Sequence, residues 1–139
     1  MKKIKMIILS SLVMIGSIVA ISPTNEAEAS MSGWQTISGS CKVRVWTDAD
    51  TYTSRATSVD TYAETNGKCS TLNYKMYISA YAAGGSGQIS PTKSGSFKTK
   101  TPTKKFYFSQ MDNVQRPMTC EVNVEFSNGK FASKTFTLK

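Results

Sequence analysis

The 139-residue chain carries seventeen Lys or Arg against nine Asp or Glu, a net charge of +8, and has no histidine. Without imidazole, Ser-His-Asp and Cys-His catalysis and histidine-based zinc sites are excluded. Its fourteen aromatic residues, all beyond position 29, exclude a disordered polyelectrolyte and call for one packed core.

The first predicted element is a leader. Lys2, Lys3 and Lys5 precede an apolar run from Ile7 to Ile21, then Ser22-Pro23 and the small-residue site Ala27-Glu28-Ala29. This order predicts a signal peptide over residues 1–29, cleaved to leave Ser30 as the mature N-terminus. A membrane span needs about 20 apolar residues, and the run is shorter. The C-terminal "FASKTFTLK" offers no second apolar segment. No transmembrane anchor is therefore expected in the mature form, and residues 30–139 should be a single secreted β domain. The leader is similar in length and basic start to those of Gram-positive bacteria.

Beyond Ser30, turn signals recur at Asn66-Gly67, Gly84-Gly85, Ser94-Gly95, Thr101-Pro102, Arg116-Pro117 and Asn128-Gly129. Between them lie segments of period-two alternation rich in Val, Thr, Tyr and Phe. The expected fold is all-β: an antiparallel β-sandwich, immunoglobulin-like or related, or a small barrel. "AAGGSGQISPTKSGS", residues 82–96, reads as a loop.

Three hairpins are predicted. A turn at Asn66-Gly67 pairs Val59 with Tyr74, Thr61 with Leu72 and Glu64 with Cys69, apolar against apolar and polar against polar. A bulged turn at Asn128-Gly129 sets Val122 opposite Phe136 and Cys120 opposite Leu138, and places Lys134 on the apolar face. A turn at Pro102-Thr103 pairs Phe97 with Phe108, which sets Lys98 opposite Tyr107 and Lys100 opposite Lys105.

An exported chain with three cysteines should form one disulfide and leave one thiol over. Cys41 is in phase with Val43 and Val45, and Cys120 with Val122 and Val124. The expected bridge is Cys41–Cys120, with Cys69 the odd thiol, unpaired or joining two chains in a dimer.

Candidate chemistry is sparse. Glu121 and Glu125 share a strand face but lie roughly 13 Å apart at about 3.3 Å per residue. Glycosidase pairs need roughly 5–9.5 Å, so these two read as solvated acids. Asp48 and Asp50 in "WTDADTYTS" could serve a carbohydrate-active enzyme or help hold Ca²⁺, although an Asp-stabilised turn is the simpler reading. No cofactor or metal is expected.

Charge is more informative. Residues 65–111 hold seven lysines and no acid, so this segment carries the whole net charge of +7 of residues 30–139. Lysines guard strand edges, but this concentration also suits an anionic partner. The predicted binding residues are Lys98, Lys100, Lys104, Lys105 and Tyr107. Their partner would be a wall polymer, an anionic lipid or an acidic protein; no motif for specific nucleic-acid recognition is present. The expected function is a secreted, cationic, non-catalytic binding protein at or near a cell envelope. The alternatives are an antimicrobial or toxin-like effector and a small carbohydrate-active enzyme.

Overall fold

The computed structural model describes residues 28–81 and 87–139. The predicted leader falls outside them except for its last two residues, as does the Gly84-Gly85 turn. The described residues form ten strands: β1 (Ser30–Met31), β2 (Gln35–Ser38), β3 (Cys41–Thr47), β4 (Thr51–Tyr52), β5 (Ser58–Thr65), β6 (Leu72–Ala80), β7 (Lys93–Phe97), β8 (Lys104–Tyr107), β9 (Met118–Phe126) and β10 (Phe131–Leu138). A single 3-10 turn spans Phe108–Gln110.

The strands build two sheets. In the first, the order is β1-β3-β5-β8, with β2 also pairing β3; in the second it is β4-β10-β9-β6-β7. Every pairing is antiparallel except that of β4 with β10. The expected all-β sandwich is the observed fold.

Alternation decides which side chains enter the core. In β3, Cys41, Val43, Val45 and Thr47 point inward while Lys42, Arg44 and Trp46 point outward. In β9 the inward set is Cys120, Val122, Val124 and Phe126. These meet Val59, Phe106, Met76, Ile78, Phe136 and Leu138 in one core. Each fully buried Val, Leu or Phe contributes about 1.5–3 kcal/mol relative to leaving it in water.

The Asn66-Gly67 segment is not a hairpin. β5 pairs with β3 and β8, and β6 with β9 and β7, so residues 66–71 cross between sheets. Gly67 supplies the left-handed backbone of the bend, at φ 82°. Asn66 holds the crossover against the start of β3: its Nδ2 donates to the Ser40 carbonyl at 2.8 Å, and its Oδ1 accepts from the Lys42 amide at 3.2 Å. Period-two alternation fixes which face of a strand is buried, but not which neighbour covers it.

This crossover also corrects the disulfide. The bond joins Cys41 to Cys69, with Cα atoms 4.6 Å apart, and Cys120 is a buried free thiol. Both Cys41 and Cys120 face the core as expected. They belong to different sheets, however, whereas the crossover brings Cys69 directly over the first residue of β3. Cys69 is thus neither an odd thiol nor available to link two chains.

At Asn128-Gly129 the turn is bulged as expected, with Gly129 at φ 80° and its amide donating to the Phe126 carbonyl. The extra residue is taken before the turn, so Phe136 faces Cys120 rather than Val122, and Leu138 faces Met118. Inward and outward sets are unchanged, because the two registers differ by an even step. Lys134 does face inward; its ammonium reaches Asp50 Oδ1 at 2.6 Å. Ser94-Gly95, expected as a turn, lies within β7.

The Pro102-Thr103 hairpin is also absent. β7 and β8 belong to opposite sheets, so residues 98–103 form a second crossover. Lys100 and Lys105 do not oppose each other.

Candidate binding site

The outer face of the first sheet gathers most of the protein's unusual side chains. Its spine is β5, whose outward residues are Ser58, Asp60, Tyr62 and Glu64. On one flank β3 places Trp46 opposite Tyr62 and Arg44 opposite Glu64. On the other flank Lys100 bridges to Glu64, Lys105 faces Asp60 and Tyr107 faces Ser58.

The contacts across this grid are specific. Trp46 and Tyr62 stack, with ring centroids 4.9 Å apart and planes 18° apart. The Lys100 ammonium lies 3.8 Å from the Tyr62 ring centroid. Because β3 and the Lys100 segment flank β5 on opposite sides, Tyr62 is held between an indole and an ammonium. The Arg44 guanidinium sits 4.3 Å from the Trp34 ring centroid and pairs with Glu64 at 2.5 Å. Lys105 pairs more loosely with Asp60, at 3.4 Å.

Two aromatic rings remain available to solvent at the ends of this face. Trp34 is 43% exposed and Tyr107 is 44% exposed. Both are amphipathic rings suited to stacking on a sugar. Between them Lys42, Arg44, Lys100 and Lys105 outnumber Asp60 and Glu64, so the face is cationic. It can hold rings by stacking and anionic groups by charge-assisted hydrogen bonds.

Of the residues predicted from sequence, the fold brings Lys100, Lys105 and Tyr107 onto this face. Lys104 lies at the other parity, opposite the buried Thr61. Lys98 sits in the crossover, where its carbonyl accepts from the Thr65 hydroxyl at 2.9 Å. Trp34, Arg44, Trp46 and Tyr62 were not singled out. Their signal was present in the alternation: Trp46 and Tyr62 are aromatic residues out of phase with the buried positions of β3 and β5.

Of the acids weighed for catalysis, Asp48 and Asp50 are engaged in hydrogen bonds that serve the fold. Asp48 Oδ1 accepts from the Tyr52 hydroxyl at 2.5 Å and from the Asp60 amide at 3.0 Å. Burial and the neighbouring Asp48 push the Tyr52 hydroxyl far above the usual phenol range, which keeps it a donor. Asp50 accepts from Lys134 and from the Ser30 hydroxyl, and these hydrogen bonds hold its carboxyl below the usual range. Glu121 and Glu125 stand on the outer face of the second sheet. Among the described residues, no group of three His, Cys, Asp or Glu could hold a metal ion. Nor is any helix among them long and apolar enough to cross a membrane.

A protein-family model for the YqgA MG2 macroglobulin domain matches residues 27–138. The chain belongs to this family. Membership fits the two-sheet sandwich, and the matched range takes in every described strand. Among curated proteins, the chain is similar to the cell wall-binding protein YqgA of Bacillus subtilis (strain 168), at 55% identity over 95 residues. The matched segment covers 67% of this chain and 66% of that relative, just under two thirds of its length. The candidate face is drawn entirely from residues within the range of the YqgA MG2 match.

Proposed function

We propose that this protein is an exported, wall-associated binding protein that holds an anionic wall polymer on the outer face of its first sheet, without covalent chemistry. The observation that carries this reading is the column Trp46–Tyr62–Lys100, flanked by Trp34 and Tyr107, on a sheet face that water alone would not favour. A solvated face normally presents short polar residues and lysines. Here large rings alternate with cations, the combination that binds sugars bearing phosphate or carboxylate groups. The cell wall-binding relative supports the destination, and the signal-like leader supports export with Ser30 as the mature N-terminus.

The test uses a built-in probe. The chain has only two tryptophans, Trp34 and Trp46, and both lie on this face. Purified protein starting at Ser30 is titrated with solubilised anionic wall polymer, neutral glycan and anionic lipid vesicles while tryptophan emission is followed. The expected result is saturable emission change with the anionic polymer, weakened by salt as charges are screened within about 8 Å at physiological ionic strength. Binding to wall polymer with unchanged emission would move the site elsewhere. Retention on lipid alone would replace the wall polymer by a membrane surface.

A further inference from the structure

The second sheet carries a different kind of site at its far end. A cleft of about 460 Å³ is lined by Asn73, Lys75, Ser94, Gly95, Glu125 and Ser127, among others. That volume is within the range of small-ligand sites, about 300–1,000 Å³. Lys75 and Glu125 are directly opposed on β6 and β9, and Ser94 of β7 continues the same row. Opposite charges in such a pair ordinarily close on each other. The ion pairs among the described residues are Arg44–Glu64, Lys105–Asp60 and Lys134–Asp50, so Lys75 and Glu125 stay more than 4.0 Å apart. The cleft therefore places an ammonium and a carboxylate side by side without a direct contact between them.

Two further features narrow the ligand. β7 is the edge strand of its sheet, and in Ser94, Gly95 and Ser96 it presents only small exposed residues. Gly95 cannot be replaced without disturbance, because a Cβ there would lie 3.0 Å from the Tyr74 hydroxyl. The small Ser94 side chain beside Lys75 leaves that end of the row uncovered. Beyond Glu125, on the same row, Phe131 is 47% exposed and offers an apolar contact.

We propose that this cleft binds a short zwitterionic peptide laid across the strands, its ammonium against the Glu125 carboxylate and its carboxylate against the Lys75 ammonium, with its C-terminal end towards Ser94 of β7. Directly paired residues of antiparallel strands have Cα atoms about 4.5–5.5 Å apart. An extended dipeptide spans roughly 7 Å, so its two termini match side chains reaching from such a pair. The site is separate from the face of the first sheet, and either can fail without the other.

The experiment compares dialanine, N-acetyl-dialanine and dialanine amide by NMR titration of the mature protein, with tryptophan emission recorded in parallel. Dialanine should shift the amides of β7 and the 127–129 turn and leave tryptophan emission unchanged. Blocking either terminus should weaken binding about tenfold. Lys75→Gln should then bind dialanine and its amide equally, and Glu125→Gln should no longer discriminate against the acetylated form. Both side chains are on the outer face, and unchanged thermal unfolding verifies that the variants fold. The proposal is overturned if dialanine does not bind at millimolar concentration, if the blocked peptides bind as well, or if the shifts and an emission change map to the first sheet.

Discussion

Trp46 and Tyr62 stand opposite each other on β3 and β5 with their rings 4.9 Å apart, on the outside of the sandwich rather than within it. An aromatic pair of this kind contributes about 0.5–1.5 kcal/mol beyond its buried area. Tyr62→Ala should therefore lower stability by about 1 kcal/mol, removing both the stack and the ring beneath Lys100. Wall-polymer affinity should fall well beyond what that loss explains, since the variant remains folded at room temperature. Tyr62→Phe keeps both ring contacts and should bind as the parent does. Thermal unfolding and polymer titration of the two variants check this together.

The Cys41–Cys69 bond ties the first crossover to β3 across 28 residues of sequence. Closing a loop of this length stabilises by about 3–4 kcal/mol in the chain-entropy model. Peptide mapping without reduction should recover Cys41 joined to Cys69. Cys120 should resist alkylation in the folded protein, because it is fully buried and burial pushes its thiol up to about 11. It should react once denaturant opens the core. A raised thiol value also means that stability present at neutral pH declines as pH rises from about 8.5 towards 11. A Cys41–Cys120 peptide would contradict the crossover itself.

Lys134 is an ammonium on the inner side of β10, partnered at the surface by Asp50. Asp50→Asn should destabilise by about 1–2 kcal/mol. That is less than the roughly 3–5 kcal/mol for a fully buried pair, because the Asp50 side chain is 55% exposed and screened. Lys134→Met, which keeps the stem and removes the charge, should be neutral or stabilising. The pH dependence follows from the lowered Asp50 carboxyl: its contribution is complete above about pH 4 and is lost as pH falls through the folded value. Acid unfolding of parent and Asp50→Asn should therefore converge below that range.

The fold class was legible because period-two alternation is dense and local. Pairing was not. The Asn66-Gly67 hairpin was self-consistent on both faces, yet β5 and β6 lie in different sheets, because a sandwich offers every alternating strand several equivalent partners. The two crossovers, 66–71 and 98–103, look like hairpin turns in sequence, and the cysteine assignment failed with the first of them. Lys134 was legible as an inward lysine, since parity survives a register change of two. On the candidate face, Lys100, Lys105 and Tyr107 came from counting charge. Trp34, Arg44, Trp46 and Tyr62 needed the sheet, because only strand order shows that they meet.

The most direct test of the binding face replaces Lys100 and Lys105 by Gln, against a control replacing Lys130 and Lys139. Both variants lose two charges, so effects of net charge are matched, and the control residues belong to no strand of the first sheet. Affinity for anionic wall polymer is measured at one fixed ionic strength. The account predicts at least about a tenfold loss for the first variant, equivalent to about 1.4 kcal/mol, and less than half that free energy for the control. Equal losses would contradict it, reducing the lysines to guards of an exposed strand edge and the attraction to overall charge.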